Sequence, residues 1–242
     1  MGGALGAYLL DLRSHEAGAV EGIDPEELHD LRVALRRARS VAWGGRRVFP
    51  AEELELFRSL LAWATRPTSA ARDHDVLLGD LPAMVDRLSE PMRRGAGPLG
   101  RELAARRSTA HDEVAAALGG ARWPVLVRRW SALAEGGTHG GLVGGGPPGP
   151  DADRPAGAVV AEVLERSMRR VRRSGRAALR SDDRDEWHGL RKDLKRFRYL
   201  LAAFAAVYPP GAVDPVVREL AGLQDVLGRL QDRHVQATML TD

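Results

Sequence analysis

Two stretches of this chain coincide when the sequence is shifted by 159 residues without a gap. Asp24 falls on Asp183, Glu27 on Glu186, His29 on His188, Leu31 on Leu190 and Arg32 on Arg191. Leu35 meets Leu194, Arg36 meets Lys195, Arg37 meets Arg196 and Arg39 meets Arg198. Further on, Val48-Phe49-Pro50 meets Val207-Tyr208-Pro209, Asp73 meets Asp232, and Val76 meets Val235. One register kept from residue 24 to residue 76 points to an internal duplication, hence two similar units packed about a pseudo-two-fold. Position 83 is the last with a partner, at Asp242, so helices expected over 99–135 have no counterpart in the second copy.

The repeated units are helical. Apolar residues recur at helical spacing, sustained period-two alternation is absent, and aromatic residues make up only 5%. The pattern predicts an all-α fold with helices near 4–20, 26–48, 51–66, 70–89, 99–118, 122–135, 155–180, 184–207 and 213–239, punctuated by prolines such as Pro50, Pro67, Pro82, Pro98 and Pro209. Gly136 to Pro155 is mostly Gly and Pro and has little to bury. It divides the chain into a first unit (1–135), a linker (136–154) expected to be mobile, and a second unit (155–242). Cysteine is absent, which excludes disulfides, thiolate metal sites and a cysteine nucleophile. No apolar run approaches the roughly 20 residues needed to span a bilayer, and Asp11 interrupts the N-terminal stretch, so a cytoplasmic location is expected.

Net charge is only +3, but it is unevenly placed. Residues 29–47 carry six Arg against Asp30, net +5; residues 166–198 carry thirteen Arg or Lys against five acids, net +8. Everything else therefore sums to −10. Such local concentration suits holding one anion better than nonspecific adhesion.

Both charged segments open with a helix-start signal, Asp24 or Asp183 with Glu three residues later, and Pro25 suits the first turn. At about 100° per residue, Arg32, Arg36 and Arg39 lie within about 80° of His29 and form one stripe beside a core face of Leu28, Leu31, Leu35, Ala38 and Ala42. Arg37 lies apart. In the second copy His188, Arg191, Lys195 and Arg198 line the stripe, with Lys192 and Tyr199 flanking the histidine. Like charges at these spacings destabilise an isolated helix by a few tenths of a kcal/mol per pair, so acids on other helices or a bound polyanion must compensate. The chain's two lysines among 36 basic residues, Lys192 and Lys195, both sit here.

Asp73 and Asp75 in Arg72-Asp-His-Asp-Val76, and the partner region Gln231-Asp232-Arg233-His234-Val235, admit two readings. They can hold the basic side chains as ion-pair partners, the preferred reading, or join His74 or His234 as metal ligands. His29-Asp30 and His111-Asp112 extend that second reading to a metal-dependent phosphohydrolase. Against it, the second copy keeps His188 but replaces the acid by Gly189, and the stripe is too cationic for a divalent ion. RNA or DNA backbone binding is a third possibility, weakened by the scarcity of aromatic platforms.

His29-Asp-Leu-Arg-Val-Ala-Leu-Arg-Arg-Ala-Arg39, Arg72-Asp-His-Asp-Val76 and His188-Gly-Leu-Arg-Lys-Asp-Leu-Lys-Arg-Phe-Arg-Tyr199 together resemble the CHAD domain, the α-helical domain named for its histidines. The resemblance runs from about residue 4 to the end. It implies two helical bundles about a pseudo-dyad, a basic central cavity that binds inorganic polyphosphate, and an intracellular location, sometimes on polyphosphate granules or beside a polyphosphate- or triphosphate-processing enzyme. The E-x-E-x-K signature of the triphosphate tunnel domain fused to many relatives is missing, since Glu53-Leu-Glu55-Leu-Phe57 lacks the lysine.

The chemistry agrees. Polyphosphate carries a negative charge at every unit and no base to read, so closely spaced cations on rigid helices suffice, with Arg forks bonding oxygens bidentately. Rungs one turn apart, ~5.4 Å, supply the spacing. The expected phosphate contacts are Arg32, Arg36, Arg39, Arg191, Lys195 and Arg198, with His29 and His188 donating hydrogen bonds. Lys192, Arg37, Arg196 and Tyr199 are further candidates. No catalytic residue, metal or cofactor is expected, and neither nucleic acid nor membrane is an expected partner.

Overall fold

The computed structural model describes residues 1–136, 146–181 and 183–241, with side chains through residue 228. Residues 137–145 of the expected linker, and the side chains of Gln231, Asp232, His234 and Val235, lie outside the described residues. The fold is all-α, with no strand among the described residues. The helices are α1 (Gly2–Ser14), α2 (Glu16–Glu21), α3 (Pro25–Gly44), α4 (Ala51–Val85), α5 (Glu90–Gly119), α6 (Arg122–Ala134), α7 (Ala156–Ala178), α8 (Arg184–Ala203) and α9 (Asp214–Thr241).

The two basic helices start and stop alike. Both α3 and α8 are 20 residues long, and their ends are displaced by the same 159 positions. Each begins on an aspartate whose carboxylate accepts a backbone N–H two residues on, Asp24 from Glu26 and Asp183 from Asp185, both at 2.9 Å. The reciprocal half of the expected capping box is missing in the first copy. Glu27 turns instead to the imidazole of His15, 2.8 Å away, and so ties α3 to the α1–α2 corner.

That corner corrects one expected helix: 4–20 is broken at His15 into α1 and α2. Two expected helices over 51–66 and 70–89 are one, α4, which runs through Pro67. Proline removes the hydrogen bond to the carbonyl four residues back. The helix continues because Leu60, Leu61, Ala64 and Ala71 are buried on both sides of the defect, where α4 packs against α3, α5 and α6. Thr65 and Thr68 donate their hydroxyls to the carbonyls of Leu61 and Ala64. Likewise α5 starts at Glu90 rather than near 99 and passes through Pro98. At the other end α8 stops at Ala203, and 205–207 form a 3₁₀ turn instead of a last helical turn.

A single apolar core joins the two halves. Leu5, Leu12, Leu28, Leu31, Leu35, Phe57, Leu61 and Trp130 are continuous with Val160, Val163, Phe197, Leu200 and Phe204. Gly44 sits at the seam. A Cβ there would lie 3.0 Å from Val163 Cγ1 and 3.2 Å from Leu200 Cδ2, so a glycine lets the end of α3 close on α7 and α8. The far end of the Gly/Pro segment is anchored: Asp151 N donates to Arg47 O at 2.8 Å, and the Asp151 carboxylate accepts from Arg47 Nε at 2.7 Å.

Trp130 is fully buried, donates its indole N–H to Leu5 O at 2.8 Å and meets the Phe57 ring edge-on at 5.6 Å. Trp130→Ala removes a large, fully buried side chain and its hydrogen bond to α1, so it should cost about 3–5 kcal/mol. Urea unfolding of the full chain checks this; a loss under about 1 kcal/mol would show that α6 is not fastened to α1 through this residue.

Candidate functional site

Helices α3 and α8 pack against each other. Each commits one face to the core, through Leu28, Leu31, Leu35 and Ala38 on α3 and Leu194, Phe197 and Leu200 on α8. Helical periodicity then forces the adjoining basic edges to face each other. Two cavities result. The first, about 460 Å³, is lined by Arg36, Arg39 and Trp43 of α3, Lys192, Lys195, Arg196 and Tyr199 of α8, and Glu55 and Arg58 of α4. The second, about 470 Å³, is lined by His29, Arg36 and Arg37 of α3, Arg191, Lys195, Arg198 and Tyr199 of α8, and Gln224 and Asp225 of α9. Arg36, Lys195 and Tyr199 line both and form the wall between them.

Tyr199 organises that wall. It is 163 residues from Arg36 yet accepts a hydrogen bond from Arg36 Nε at 2.7 Å. The guanidinium carbons of Arg36 and Arg198 also lie 5.3 and 5.0 Å from the Tyr199 ring centroid, within cation–π range. A single phenol therefore holds one cation from each helix at the shared wall. Trp43, also lining the first cavity, has Arg46 from the turn after α3 and Arg196 of α8 at 5.3 and 5.0 Å from its ring.

Burial is the main influence on the titratable groups here, and neighbouring cations add to it. Burial, then the Arg72 and Arg36 charges outweighing Glu26 and Asp30, pushes the His29 imidazole below its ordinary value. Arg196 is also pushed down, by burial first and by Arg170, Arg39 and Arg58 against the opposing pull of Asp193. Arg32 is pushed down to about 10 by burial and then by Arg36, against the opposing pull of Asp73 and Asp75. A guanidinium does not give up its proton at neutral pH, so both arginines stay charged.

The structure brings together ten of the twelve expected site residues across these two cavities. Arg32 and His188 are not among their lining side chains. Arg32 turns inward toward α4, where Nη2 donates to Ser69 Oγ at 3.2 Å. Arg37 reaches the second cavity from the other side, beside Asp11 at 3.7 Å and the Tyr8 ring at 5.6 Å. Asp75 is an ion-pair residue, as expected, but for other partners. Its buried carboxylate takes Arg107 Nε at 2.7 Å and His111 Nε2 at 3.1 Å, locking α4 to α5, while Asp73 and Asp75 also favour the Arg32 charge of the α3 stripe. Among the described residues no group of three or more His, Asp or Glu side chains is placed to hold a metal.

Some lining residues escaped the sequence reading. Trp43 lay within reach of it, since the same wheel puts it within about 40° of His29. Arg58, Glu55 and Ser59 come from one face of α4, and Gln224 from α9; nothing local marks them. Gln224 is 5% exposed, and neither its Oε1 nor its Nε2 has a hydrogen-bond partner among the described residues. A buried amide left so is costly unless something else bonds it.

The CHAD domain family matches residues 3–241, and the chain belongs to that family. Its backbone is similar to the crystal structure of the CHAD domain from the plant Ricinus communis, with a TM-score of 0.80 and 25% identity over 98% of this chain and 75% of that one. It is also similar to PptA from Streptomyces chartreusis, with a TM-score of 0.75 and 21% identity over 98% of this chain and 83% of that one. No curated protein matches the sequence. No described helix is long and apolar enough to cross a membrane.

The Arg36–Tyr199 bond couples the two halves and should be measurable. In a double-mutant cycle of Arg36→Ala and Tyr199→Phe, unfolding free energies should show a coupling of about 0.5–1.5 kcal/mol. Strict additivity would mean that the bond contributes nothing to holding the helices face to face.

Proposed function

We propose that this CHAD domain is a noncatalytic receptor for inorganic polyphosphate, held in the paired cavities between α3 and α8. The observation that carries the reading is the shared wall: Arg36, Lys195 and Tyr199 line both cavities, so cations from both helices address one space. A polyanion with a charge at every unit can engage both chambers at once, and orthophosphate cannot. Arg36 and Arg39 from one side and Lys192, Lys195, Arg196, Arg191 and Arg198 from the other supply charge-assisted hydrogen bonds. His29 and the Gln224 amide add donors, and the Tyr199 phenol holds Arg36 in place. In this reading the two basic helices are duplicate halves of one central basic cavity, and the protein acts in the cytoplasm where polyphosphate accumulates, as in granules.

The ladder of cations predicts an affinity that rises with chain length and falls steeply with salt, as counter-ions are released. Titration calorimetry of the full chain with orthophosphate, tripolyphosphate and long polyphosphate tests this. Equal affinities for orthophosphate and long chains would defeat the proposal. Arg36→Glu combined with Lys195→Glu should abolish tripolyphosphate binding and strongly weaken long-chain binding while circular dichroism keeps its helical signal.

A pH dependence follows from His29. Its imidazole is held below the ordinary value in the unliganded protein, and a phosphate nearby favours the protonated ring and raises the value. Binding therefore takes up a proton at this site. The gain is complete below the unliganded value, itself below about 6.5, and fades as pH rises through the liganded one. Polyphosphate affinity should increase on going from pH 8 to pH 6, and His29→Gln should flatten that slope. Identical slopes in the two proteins would remove His29 from the site.

A further inference from the structure

The first cavity does not end at Trp43. Trp43 also lines a third hollow, of about 340 Å³, together with Arg46 just beyond the end of α3 and Arg166, Arg169, Arg170 and Arg173 of α7. Apart from Trp43, every lining side chain is an arginine. The four on α7 follow the i, i+3, i+4, i+7 spacing of a single helix face and span about 10 Å along the axis.

The acids in reach do not balance them. Glu165 pairs with Arg169. Glu162 lies 3.5 Å from Arg166 but is also engaged by Arg154. Asp193 lies 3.0 Å from Arg170 Nε and 3.2 Å from Arg196 Nη1, so one carboxylate serves both the hollow and the first cavity. Arg46 and Arg173 have no ion-pair partner among the described residues; Arg46 lies over Trp43 instead. Arg170 also contributes to the depressed Arg196 value, a sign that the two basic spaces sense each other. Nothing equivalent exists at the other end. Shifted back by 159, the four α7 positions fall on Ala7, Leu10, Asp11 and Ser14, and Trp43 and Arg46 find Ala202 and Ala205.

We propose that this arginine face is a second phosphate-binding groove, continuous with the first cavity past Trp43, that takes the length of polyphosphate emerging from the cavity on that side only. The inference rests on the polyphosphate reading above and deepens it: the protein distinguishes long chains from short ones by an exit groove on α7. The ligand class follows from the lining. Five guanidinium forks and no aromatic face left uncovered by a cation suit a run of phosphates rather than a base or an apolar group.

The test compares tripolyphosphate, which the cavity accommodates alone, with polyphosphate several tens of units long, on the full chain. Arg169 and Arg173 are exposed and alanine is a good helix former, so Arg169→Ala with Arg173→Ala should keep the helical circular dichroism signal. In this variant tripolyphosphate affinity should stay within about twofold of the parent. Long-chain affinity should fall roughly tenfold and its salt slope by about two, one per lost phosphate contact. If the parent prefers long chains and the variant binds them equally well, the groove is refuted while the cavity reading stands. Equal weakening toward both lengths refutes it too, since the arginines would then act through the cavity. Conversely, a variant with Arg36→Glu and Lys195→Glu that loses tripolyphosphate yet keeps measurable long-chain binding supports the groove. A parent that binds neither length overturns both proposals.

Discussion

Like charges held face to face are the constraint around which this fold is arranged. Two unit charges a few ångströms apart repel by a kcal/mol or more even where solvent screens them. Between α3 and α8 the charges of Arg39 and Arg196 oppose each other. What holds the helices together is the apolar packing behind the charges, with Leu28, Leu31 and Leu35 on one side and Phe197 and Leu200 on the other. Gly44 lets that packing close at the end of α3. The core therefore sets the distance between the cationic edges, and the site exists because hydrophobic burial outweighs their repulsion.

The acids show the same division of labour. Asp75 is spent on Arg107 and His111, Asp151 on Arg47 and Arg154, and Glu27 on His15. Each of these pairs fastens one scaffold element to another. Few carboxylates reach the cavities: Glu55 in the first, already hydrogen-bonded to Arg58 at 2.7 Å, and Asp225 in the second. Among the described residues the two cavities are otherwise lined by cations and neutral groups.

Much of this was legible from residue spacing. The stripe, its core face, the Asp24 and Asp183 caps and the shared offset of α3 and α8 all follow from local periodicity, which the chain carries in every turn. What stayed hidden depends on partners distant in sequence. Pro67 reads as a stop because its missing N–H is local, while the burial on both sides that carries α4 through it is tertiary. Arg32 shares the stripe of His29 on a wheel, yet is drawn to Ser69, a residue no local pattern connects to it. Gln224 gave no signal, since an amide in an amphipathic helix becomes notable only once its burial is known.

Helices α3 and α8 have the same length and the same kind of cap but differ in chemistry along their facing edges. The counterpart of Tyr199 is Ser40, whose hydroxyl turns back to the carbonyl of Arg36 in its own helix at 3.2 Å. Tyr199 has the reach to cross to the other helix and fix the Arg36 guanidinium. The equivalent of Arg36 in the second copy is Lys195, a compact charge on a flexible stem, and Val33 corresponds to Lys192. One side of the wall thus presents a fork of set orientation, and the other presents cations able to follow the ligand. For the polyphosphate proposed as ligand, which has no fixed conformation, that pairing suits better than two rigid forks. In that reading the rigid partner fixes where a phosphate is held, and the flexible partners absorb the variation in how the next one arrives.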